Sequence, residues 1–508
     1  MSKKPTRREF LKVTGAGLAG IAVLKALGCE SEKHSGKTSP SKTISSVHSD
    51  LVRAFRSRPD LKPPAIEVKR LAHEVAPGYV FVAPKRGTGQ DGPMILDNRG
   101  EPVWFYSVRE KPPEDRYATD FKVQNYRGKP VLTWWEGVNV PGHGSGGYVL
   151  MDGSYREVGR VPAAEGYDRD LHEFNITSRG TALFTVYDRV PMDLTSVGGL
   201  KDDAVYNGIV EEVDIETGEV LFRWHSLDHV GIEESYRQLN TRPYDYFHIN
   251  TIEVDHDDNL LICARNTYAV YKIDRRSGEV LWRLGGKKSD FEMGPGTRTA
   301  LQHDARRQED GTITIFDNRE QEDGFSRGIV CQLDENEMRA SLLREYTHPD
   351  RIFSSSQGNM QVLPNGNVFI GWGSEPVFSE FGKDGELLFD AALRVEADPQ
   401  LTKRLPKPES YRAFRFEWSG KPDSTPDVAA ERVSGKRMTV YASWNGATEV
   451  AAWQVLAGPG TSRLQPVGSA PREGFETAIS VRAVGPYVAV KARDGSGRVL
   501  GTSAAVKT

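Results

Sequence analysis

The sequence predicts an all-β protein: a six-bladed β-propeller followed by a small C-terminal β-sandwich of fibronectin-like or immunoglobulin-like type. Two observations lead to this prediction. A marker made of an Asp, a short Gly-containing turn and a strand recurs six times in the middle of the chain. After Gly420 the pattern changes to short alternating strands without that marker. The high glycine content, 50 of 508 residues, also favours many short strands joined by tight turns.

The repeated marker defines the predicted blades. Its copies follow one another at intervals of 50 to 62 residues and begin at Asp97, Asp152, Asp214, Asp274, Asp334 and Asp384. A second turn falls between them, at Gly128, Gly180, Asp258, Gly311 and Gly366. Each unit is therefore two hairpins, or four antiparallel strands, as in a propeller blade. The first unit is incomplete, and we predict that Tyr411–Trp418 supplies the strand that closes the ring.

The predicted propeller covers residues 76–420 and the predicted sandwich covers residues 425–508, with a Pro-rich linker between them. The role of the sandwich stays open between a structural brace and a contact surface. The apolar fraction of 38% and the charged fraction of 27% suit a soluble globular protein. The net charge of −4 provides no broad basic field, which excludes nucleic acid as a partner. Cys263 and Cys331 lie in apolar strands, where we expect buried free thiols.

The pattern of the N-terminal residues 1–29 is typical of an export signal. Arg7 and Arg8 form a twin-arginine pair, and the apolar stretch that follows is too short for a permanent membrane anchor. That stretch ends in ALGC, which resembles a lipoprotein cleavage box, and Cys29 would carry the lipid. The composition of residues 30–75 predicts a flexible tether and lead-in.

This signal predicts the location of the protein. We expect an extracytoplasmic protein, in the periplasm or at the cell surface, exported as a folded chain by the twin-arginine translocase. Membrane contact would come only through the lipid on Cys29.

Polar residues recur at two fixed positions of the predicted inner hairpins. Eight residues before the inner turn lie Asp120, His172, Asn250, His303 and Gly358. Seven residues after it lie Trp135, Tyr187, Arg265, Asn318 and Gly373. These two positions are neighbours at the hairpin end away from the turn, and His248 shares the strand face of Asn250. We therefore predict one pocket at the channel end of the blades, with Trp135, Tyr187, Asn250 and Asn318 as substrate contacts.

The composition of the pocket restricts its chemistry. Imidazole can act as a nucleophile, an acid or base, or a metal ligand, and guanidinium binds oxyanions. We expect no metal and no other cofactor, because Glu173 and Asp304 should face away from the histidines and no HxH or HxxxH spacing occurs among the pocket histidines. A pocket that is only neutral and cationic fits an anionic substrate.

Several segments together resemble the bacterial arylsulfate sulfotransferase family, in its branch from actinobacteria and fungi. They are PGYVFVAP, DLHEF, DYFHIN, ICARNTYAVYKID, GEVLWRLGG and LQHDAR, and the resemblance covers roughly residues 77–391. It implies an exported six-bladed propeller that moves a sulfuryl group from a phenolic sulfate ester to another phenol. It further implies a sulfohistidine intermediate and no nucleotide sulfate donor.

The resemblance also implies roles for four residues. His303 of QHDAR matches the nucleophile of the family. His248 and Arg265 match groups that hold the sulfate oxygens and assist proton movement, and His172 matches a further active-site histidine. One departure is Asp304, because well-studied members have a second histidine directly after the nucleophile. Another is the sandwich, which those members carry at the N-terminus.

Two other functions remain compatible with the sequence. A non-catalytic cell-surface propeller could bind a glycan or a protein ligand, and it would keep that binding when His303 is replaced. A quinone-dependent dehydrogenase would also be a propeller, but the chain has no regularly spaced tryptophan docking motifs.

Overall fold

The computed structural model describes residues 50–108, 116–140, 142–161, 167–396, 405, 407–482 and 485–508, which belong to one compact unit. The export-signal and lipidation predictions at Arg7, Arg8 and Cys29 lie outside these residues. Helices in the described part are short: α1 (Ser226–His229) and the 3-10 turns Thr195–Val197, Ile232–Glu234 and Gln321–Asp323. None of the helices in the described ranges is long and apolar enough to cross a membrane.

The first half of the propeller follows directly after β1 (Ile66–Leu71). Blade 1 takes β2 (Tyr79–Lys85), β3 (Met94–Leu96) and β4 (Pro102–Phe105). Blade 2 contains β5 (Arg116–Tyr126), β6 (Lys129–Val140), β7 (His143–Met151) and β8 (Glu157–Arg160). Blade 3 contains β9 (Arg169–Ile176), β10 (Thr181–Met192), β11 (Asp203–Asp214) and β12 (Val220–His225).

The second half repeats the same antiparallel order. Blade 4 contains β13 (Ile249–Val254), β14 (Leu260–Ala264), β15 (Ala269–Ile273) and β16 (Val280–Gly285). Blade 5 contains β18 (His303–Arg307), β19 (Ile313–Asp317), β20 (Arg327–Asp334) and β21 (Arg339–Thr347), with the short β17 (Glu292–Met293) on its edge. Blade 6 contains β22 (Asn359–Val362), β23 (Val368–Gly371), β24 (Val377–Phe381) and β25 (Leu387–Leu393).

The ring is closed by a strand from the end of the propeller sequence. β26 (Glu409–Phe416) pairs antiparallel with β2 and becomes the inner strand of blade 1. The inner strands β26, β5, β9, β13, β18 and β22 contact one another in this order around the ring, and β22 contacts β26 again. The predicted six blades and the predicted closing strand, placed from the sequence at Tyr411–Trp418, are thereby confirmed.

The blades are held together by apolar cores that each draw on two neighbours. Between blades 3 and 4, for example, buried Leu183 and Val210 pack with Ile252 and Ile262. Each such side chain contributes about 1.5–3 kcal/mol through removal from water. The inner strands are thus fixed in position by packing on both sides. Cys263 and Cys331 are buried free thiols, as expected.

The described part of the predicted tether and lead-in, residues 50–75, packs on the propeller. β1 pairs antiparallel with β25 and adds a fifth strand to the outer edge of blade 6. A further bridge joins Val52 to Pro64. β1 is therefore the new outer edge of this sheet, and its exposed charged residues Glu67, Lys69 and Arg70 disfavour edge-to-edge association.

The C-terminal part is the predicted β-sandwich. One sheet contains β27 (Asp427–Ser434), β28 (Arg437–Ser443) and β31 (Glu476–Arg482). The other contains β29 (Ala452–Gly458), β30 (Gln465–Pro471), β32 (Tyr487–Arg493), β33 (Val499–Thr502) and β34 (Val506–Lys507). Their inner faces share a core that includes Val440, Trp453 and Val490. The domain limits given from the sequence stay predictions.

The sandwich contacts the outer strands of the first two blades. The Asn445 side chain exchanges two hydrogen bonds with the Phe105 backbone, at 3.0 and 2.9 Å. The Tyr155 hydroxyl donates to the Gly446 carbonyl at 2.8 Å. These contacts fit a brace on the outside of the ring, away from the inner strands.

Candidate functional site

A cavity of about 700 Å³ lies near the first residues of the inner strands. Its size falls within the range of small-molecule sites, about 300–1,000 Å³. The side chains of His172, His248, Arg265 and His303 all line it. The structure therefore brings the four predicted catalytic residues together in one cavity.

His303 begins β18 and is 2% exposed. Its Nδ1 lies 2.7 Å from Oδ1 of Asn318 and 3.0 Å from the Leu301 carbonyl. The Asn318 amide is oriented by its Nδ2, which donates to the carbonyls of Ser354 and Gln357 at 2.9 and 3.0 Å. Both groups that face Nδ1 are thus acceptors, so Nδ1 carries the proton. Nε2 keeps its lone pair and accepts from the Gln357 N–H at 3.2 Å.

The surroundings of His303 oppose its protonation. Burial comes first and the positive charge of Arg265 second, and together they hold the pKa of His303 well below its ordinary value. The hydrogen bond to Asn318 acts in the opposite direction and is outweighed. The ring is uncharged at neutral pH, which is the form that can attack an electrophile.

Arg265 lies at the end of β14, beside His248. Its backbone N–H donates to the His248 carbonyl at 2.9 Å, and its guanidinium donates to Asn266 Oδ1 and the Ser355 carbonyl at 3.0 and 3.1 Å. Burial and the nearby charge of Arg237 lower the pKa of Arg265. Within the described residues no carboxylate pairs with this guanidinium, which leaves it available to an anion.

Four more cationic side chains line the cavity: Lys85, Arg86, Arg237 and Arg242. Lys85 and Arg86 share the Glu409 carboxylate, at 2.9 and 3.0 Å. Arg237 resembles Arg265, because no carboxylate pairs with it in the part of the chain that the structure describes. The cavity therefore contains two guanidinium groups whose charge is not compensated by an ion pair.

His172 is oriented by a carboxylate two residues earlier on β9. Its Nδ1 lies 2.5 Å from Oδ2 of Asp170, and the same oxygen accepts from the Thr185 hydroxyl at 2.9 Å. The other oxygen of Asp170 accepts from the Gly144 N–H at 2.8 Å. Burial opposes ionisation of Asp170, but the charge and hydrogen bond of His172 outweigh it and bring the pKa of Asp170 to about 2.

His248 has a similar partner three residues earlier. Its Nδ1 lies 2.5 Å from Oδ2 of Asp245. Burial, partly offset by Asp245, lowers the pKa of His248 to about 4. The backbone of His248 has a φ of 60°, a conformation that costs a non-glycine residue about 1–2 kcal/mol. Such cost is typical of positions that are held for function.

His143 is a fourth histidine of the cavity; it is buried and lies at the start of β7. Its ring lies 4.0 Å from the Tyr187 ring, centroid to centroid, and its Nε2 lies 3.5 Å from Oδ2 of Asp245. Its Nδ1 is buried without a hydrogen-bond partner among the described residues. Interactions with Asp245 outweigh burial and raise the pKa of His143 above its ordinary value.

The four predicted substrate contacts lie behind the cavity lining. Each side chain donates to a backbone carbonyl of the next blade: Trp135 Nε1 at 2.9 Å, Tyr187 Oη at 2.6 Å, Asn250 Nδ2 at 2.7 Å and Asn318 Nδ2 at 2.9 Å. Asn359 makes the equivalent bond from blade 6 to blade 1, at 2.8 Å. None of the four lines the cavity, in contrast to the prediction. The position that these residues share in their hairpins is therefore that of the hydrogen bonds that join neighbouring blades.

A buried ionic network joins the inner strands nearby. The Arg412 guanidinium is fully buried and lies 2.8 Å from Asp120, 3.1 Å from Glu173 and 3.7 Å from Asp304. Its Nη2 donates to the Asn250 carbonyl at 2.9 Å. Glu173 and Asp304 are therefore part of this network. It connects five of the six inner strands: β5, β9, β13, β18 and β26.

Five residues of the site were not predicted from the sequence. Four line the cavity and one is the partner of His172: His143, Arg237, Asp245 and Tyr411, and Asp170. The two aspartates are visible as D-x-H and D-x-x-H spacings at His172 and His248. His143 gives no comparable signal, because β7 is the third strand of its blade and lies outside the inner register.

The predicted charge of the pocket needs one correction. The cavity is not only neutral and cationic, since Asp245 lines it. Two groups of side chains have potential ligand atoms within 4.8 Å of one another: His143 with Asp170 and His172, and His143 with Asp245 and His248. Imidazole and carboxylate ligands together are typical of zinc and similar divalent ions.

Solved structures with some similarity to the chain have low TM-scores. One is a protein of unknown function from Bacteroides caccae, with 14% identity and a TM-score of 0.38, matched over 67% of this chain and 100% of that one. Another is catalytically inactive virginiamycin B lyase from Staphylococcus aureus with quinupristin, with 8% identity and a TM-score of 0.33, matched over 75% and 97%. The fold assignment rests on the sheets themselves.

No similar sequence was found among curated proteins. The sequence does match the model of one protein family. Residues 122–394, more than half of the chain, match the model of a family described as arylsulfotransferase (ASST). This range contains β6 to β25 and His143, His172, His248, Arg265 and His303. The chain therefore belongs to the arylsulfotransferase family.

Proposed function

We propose that the protein transfers a sulfuryl group from a phenolic sulfate ester to a phenol, through a sulfohistidine at Nε2 of His303 and without a nucleotide sulfate donor. The observation that carries this proposal is the state of the His303 ring. Asn318 and Leu301 hold the proton on Nδ1, which leaves the lone pair on Nε2. A buried, neutral imidazole of fixed tautomer is a prepared nucleophile.

In the first half-reaction, Nε2 of His303 attacks sulfur while the bond between sulfur and the phenolic oxygen breaks. The bonding pair leaves with that oxygen, which takes up one proton. We assign this proton exchange to the imidazole of His172, which lines the same cavity. His303 keeps its Nδ1 proton throughout, donated to Asn318.

In the second half-reaction, an acceptor phenol returns one proton to the imidazole of His172 and attacks sulfur. The bond between sulfur and Nε2 breaks, its electron pair returns to Nε2, and the sulfated acceptor leaves. Donor and acceptor thus use the site in turn, which is the ping-pong order expected of a covalent intermediate.

The sulfonate oxygens need stabilisation in both half-reactions. Arg265 and Arg237 are suited to this task, because neither guanidinium pairs with a carboxylate among the described residues. Charge that is fixed in a buried site before the reaction stabilises a transition state more strongly than charge in water.

Replacing Arg265 with alanine is expected to slow sulfuryl transfer by about 10²–10³, because a lost transition-state contact of this kind costs about 2.7–4 kcal/mol. Turnover of a chromogenic aryl sulfate with a phenol acceptor measures the effect. Arg276→Ala, at an exposed turn of blade 4, is the matched control and should react like wild type. An Arg265→Ala enzyme of undiminished rate would remove Arg265 from the proposed site.

We also propose that the protein belongs to the branch of the family found in actinobacteria and fungi and acts outside the cytoplasm. The motifs quoted from the sequence support the branch, and the twin-arginine pair supports the location. The acceptor and donor are proposed as small phenols and their sulfate esters, which suit the cavity volume.

Changing Arg7 and Arg8 to lysine is expected to keep the protein in the cytoplasm, because the arginine pair is the recognised part of the signal. Fractionation of cells that express the wild-type and double-lysine chains measures this. Normal export of the double-lysine chain would mean that another route carries the protein.

A further inference from the structure

The loop of residues 354–358, between β21 and β22, contacts both reactive groups of the site. The main-chain N–H of Gln357 donates to Nε2 of His303 at 3.2 Å. The carbonyl of Ser355 accepts from Nη2 of Arg265 at 3.1 Å. Gln357 also lines the cavity. One loop therefore holds the nucleophile and the anion-binding guanidinium at the same time.

The contact at His303 cannot persist while the proposed reaction proceeds. The Nε2 lone pair that accepts the N–H of Gln357 is the same electron pair that must form the bond to sulfur. A sulfuryl group at Nε2 therefore displaces this N–H. The same group brings sulfonate oxygens, which are hydrogen-bond acceptors bonded directly to that sulfur. They are the acceptors that the displaced N–H meets first.

The contact at Arg265 can be exchanged in the same step. The Ser355 carbonyl accepts from Nη2 of Arg265, as an oxygen of the sulfuryl group would. A guanidinium bonds an anionic oxygen more strongly than a neutral carbonyl. Ser355 is exposed, so water can satisfy its carbonyl once Arg265 has turned to the substrate. The exchange at Arg265 is therefore favourable.

The position of the Gln357 N–H is fixed from several sides. The side-chain amide of Gln357 donates to Oε2 of Glu409 at 3.1 Å, and its carbonyl accepts from Asn318 at 3.0 Å. The next N–H, of Gly358, donates to the Tyr411 carbonyl at 3.0 Å. The φ of Gln357 is 65°, and non-glycine residues in this conformation cluster at ligand sites. A donor held in this way costs little reorganisation when charge arrives beside it.

We propose that the main-chain N–H of Gln357 is a further catalytic group, which donates to a sulfonate oxygen of the donor ester and of the sulfohistidine. On substrate binding, the 354–358 loop exchanges its contacts with His303 and Arg265 for contacts with the sulfuryl group and water. Only hydrogen bonds change in this exchange, so the bonds formed and broken in the two half-reactions stay the same. The proposal rests on the proposed function, because it concerns the same sulfuryl group.

The first test removes only this N–H. Nonsense suppression with the α-hydroxy acid analogue of glutamine at position 357 replaces the N–H with an ester oxygen and retains the side chain. We expect sulfuryl labelling of His303 in a single turnover to slow by about 10²–10³, as for the loss of one oxyanion donor. The same analogue at the exposed Gln321 is the matched control and should be labelled like wild type.

The direction of the change separates two roles of the Gln357 N–H. If this N–H only blocked Nε2 of His303, its removal would free the nucleophile and labelling would become faster. If it only shaped the loop, labelling would keep the wild-type rate. Either result in a folded ester protein, as judged by circular dichroism, would overturn the proposal.

The second test needs no variant. Phenylmethanesulfonate has a methylene group in place of the bridging oxygen of phenyl sulfate, so the protein can bind it without cleaving it. In a crystal structure of the wild-type complex, the nitrogen of Gln357 should lie about 2.7–3.2 Å from a sulfonate oxygen, and the Ser355 carbonyl should have left Arg265. A sulfonate bound at Arg265 while the N–H of Gln357 stays on His303 would contradict the proposal, as would a site that does not take up the compound.

The proposed function and the role of Gln357 fail in different ways. Wild-type protein that is labelled at His303, with an equally fast Gln357 ester, would refute only the role of Gln357. Wild-type protein that is never labelled would refute the sulfuryl transfer and, with it, the role of Gln357. If the ester protein does not fold, the crystal structure of the wild-type complex decides.

Discussion

Replacing His303 with alanine is expected to abolish the covalent intermediate and to lower turnover of an aryl sulfate by a factor on the order of 10⁴–10⁶, as expected for the loss of a nucleophile. Wild-type protein mixed with aryl sulfate and no acceptor should gain the mass of one sulfuryl group. The reason is geometric: Nε2 of His303 has its lone pair free of a proton, because Nδ1 is bonded to two acceptors.

The label should be located on His303 by fragmentation of the intact protein. It should disappear when a phenol is added, and acid should speed its loss because a bond between sulfur and imidazole nitrogen is acid-labile. His256→Ala, at an exposed position, should be labelled like wild type. Label on any residue outside the cavity would contradict the mechanism, as would wild-type turnover by His303→Ala.

Asn318 provides a finer control on the same residue. Removal of its side chain in Asn318→Ala leaves the Leu301 carbonyl as the one remaining acceptor for Nδ1 of His303 among the described residues, so labelling should slow without vanishing. Asn318→Asp retains an acceptor for Nδ1 of His303 and should restore part of the rate. A merely structural role would not show this difference between alanine and aspartate.

Replacing Arg412 with methionine is expected to lower the free energy of unfolding by about 3–5 kcal/mol, the usual cost of removing one partner from a buried ionic network. Asp120 and Glu173 would be left buried without the guanidinium that now lies 2.8 and 3.1 Å away. Burial already raises the pKa of Asp120, and loss of Arg412 would raise it further.

Urea denaturation followed by tryptophan fluorescence measures the effect of Arg412→Met. Arg344→Met, at an exposed position of β21, is the control and should change the midpoint little. A second change, Asp120→Asn, should recover part of the lost stability, because it removes one of the buried negative charges that Arg412 balances together with Lys122. An Arg412→Met protein as stable as the control would mean that the network is not stabilising.

The fold was predictable because a propeller repeats its blade. The Asp-turn-strand marker recurs since each blade needs the same outer hairpin, and the incomplete first unit indicated that β26 must close the ring. β1 was not predictable in this way. It pairs with the edge of blade 6 through its backbone, and although its first residues alternate between apolar and polar, it carries no blade marker that would identify its partner in advance.

The site was predictable only where it follows the register of the inner hairpins. His172, His303 and Arg265 share that register, and the sequence brought them together correctly. The same register also led to the prediction of Trp135 as a substrate contact, whereas its side chain forms a hydrogen bond between blade 2 and blade 3. His143 comes from a strand that the register does not include, and only the structure places it in the cavity.

The closure of the ring by β26 has a consequence for synthesis. About 330 residues separate β2 from its partner strand, and a ribosome that adds about 5–20 residues per second needs roughly 16–66 s to make them. Until then Asp120 and Glu173 exist without Arg412. The nascent chain therefore lacks the complete ionic network between its inner strands. The ring can close only after nearly the whole propeller sequence has left the ribosome.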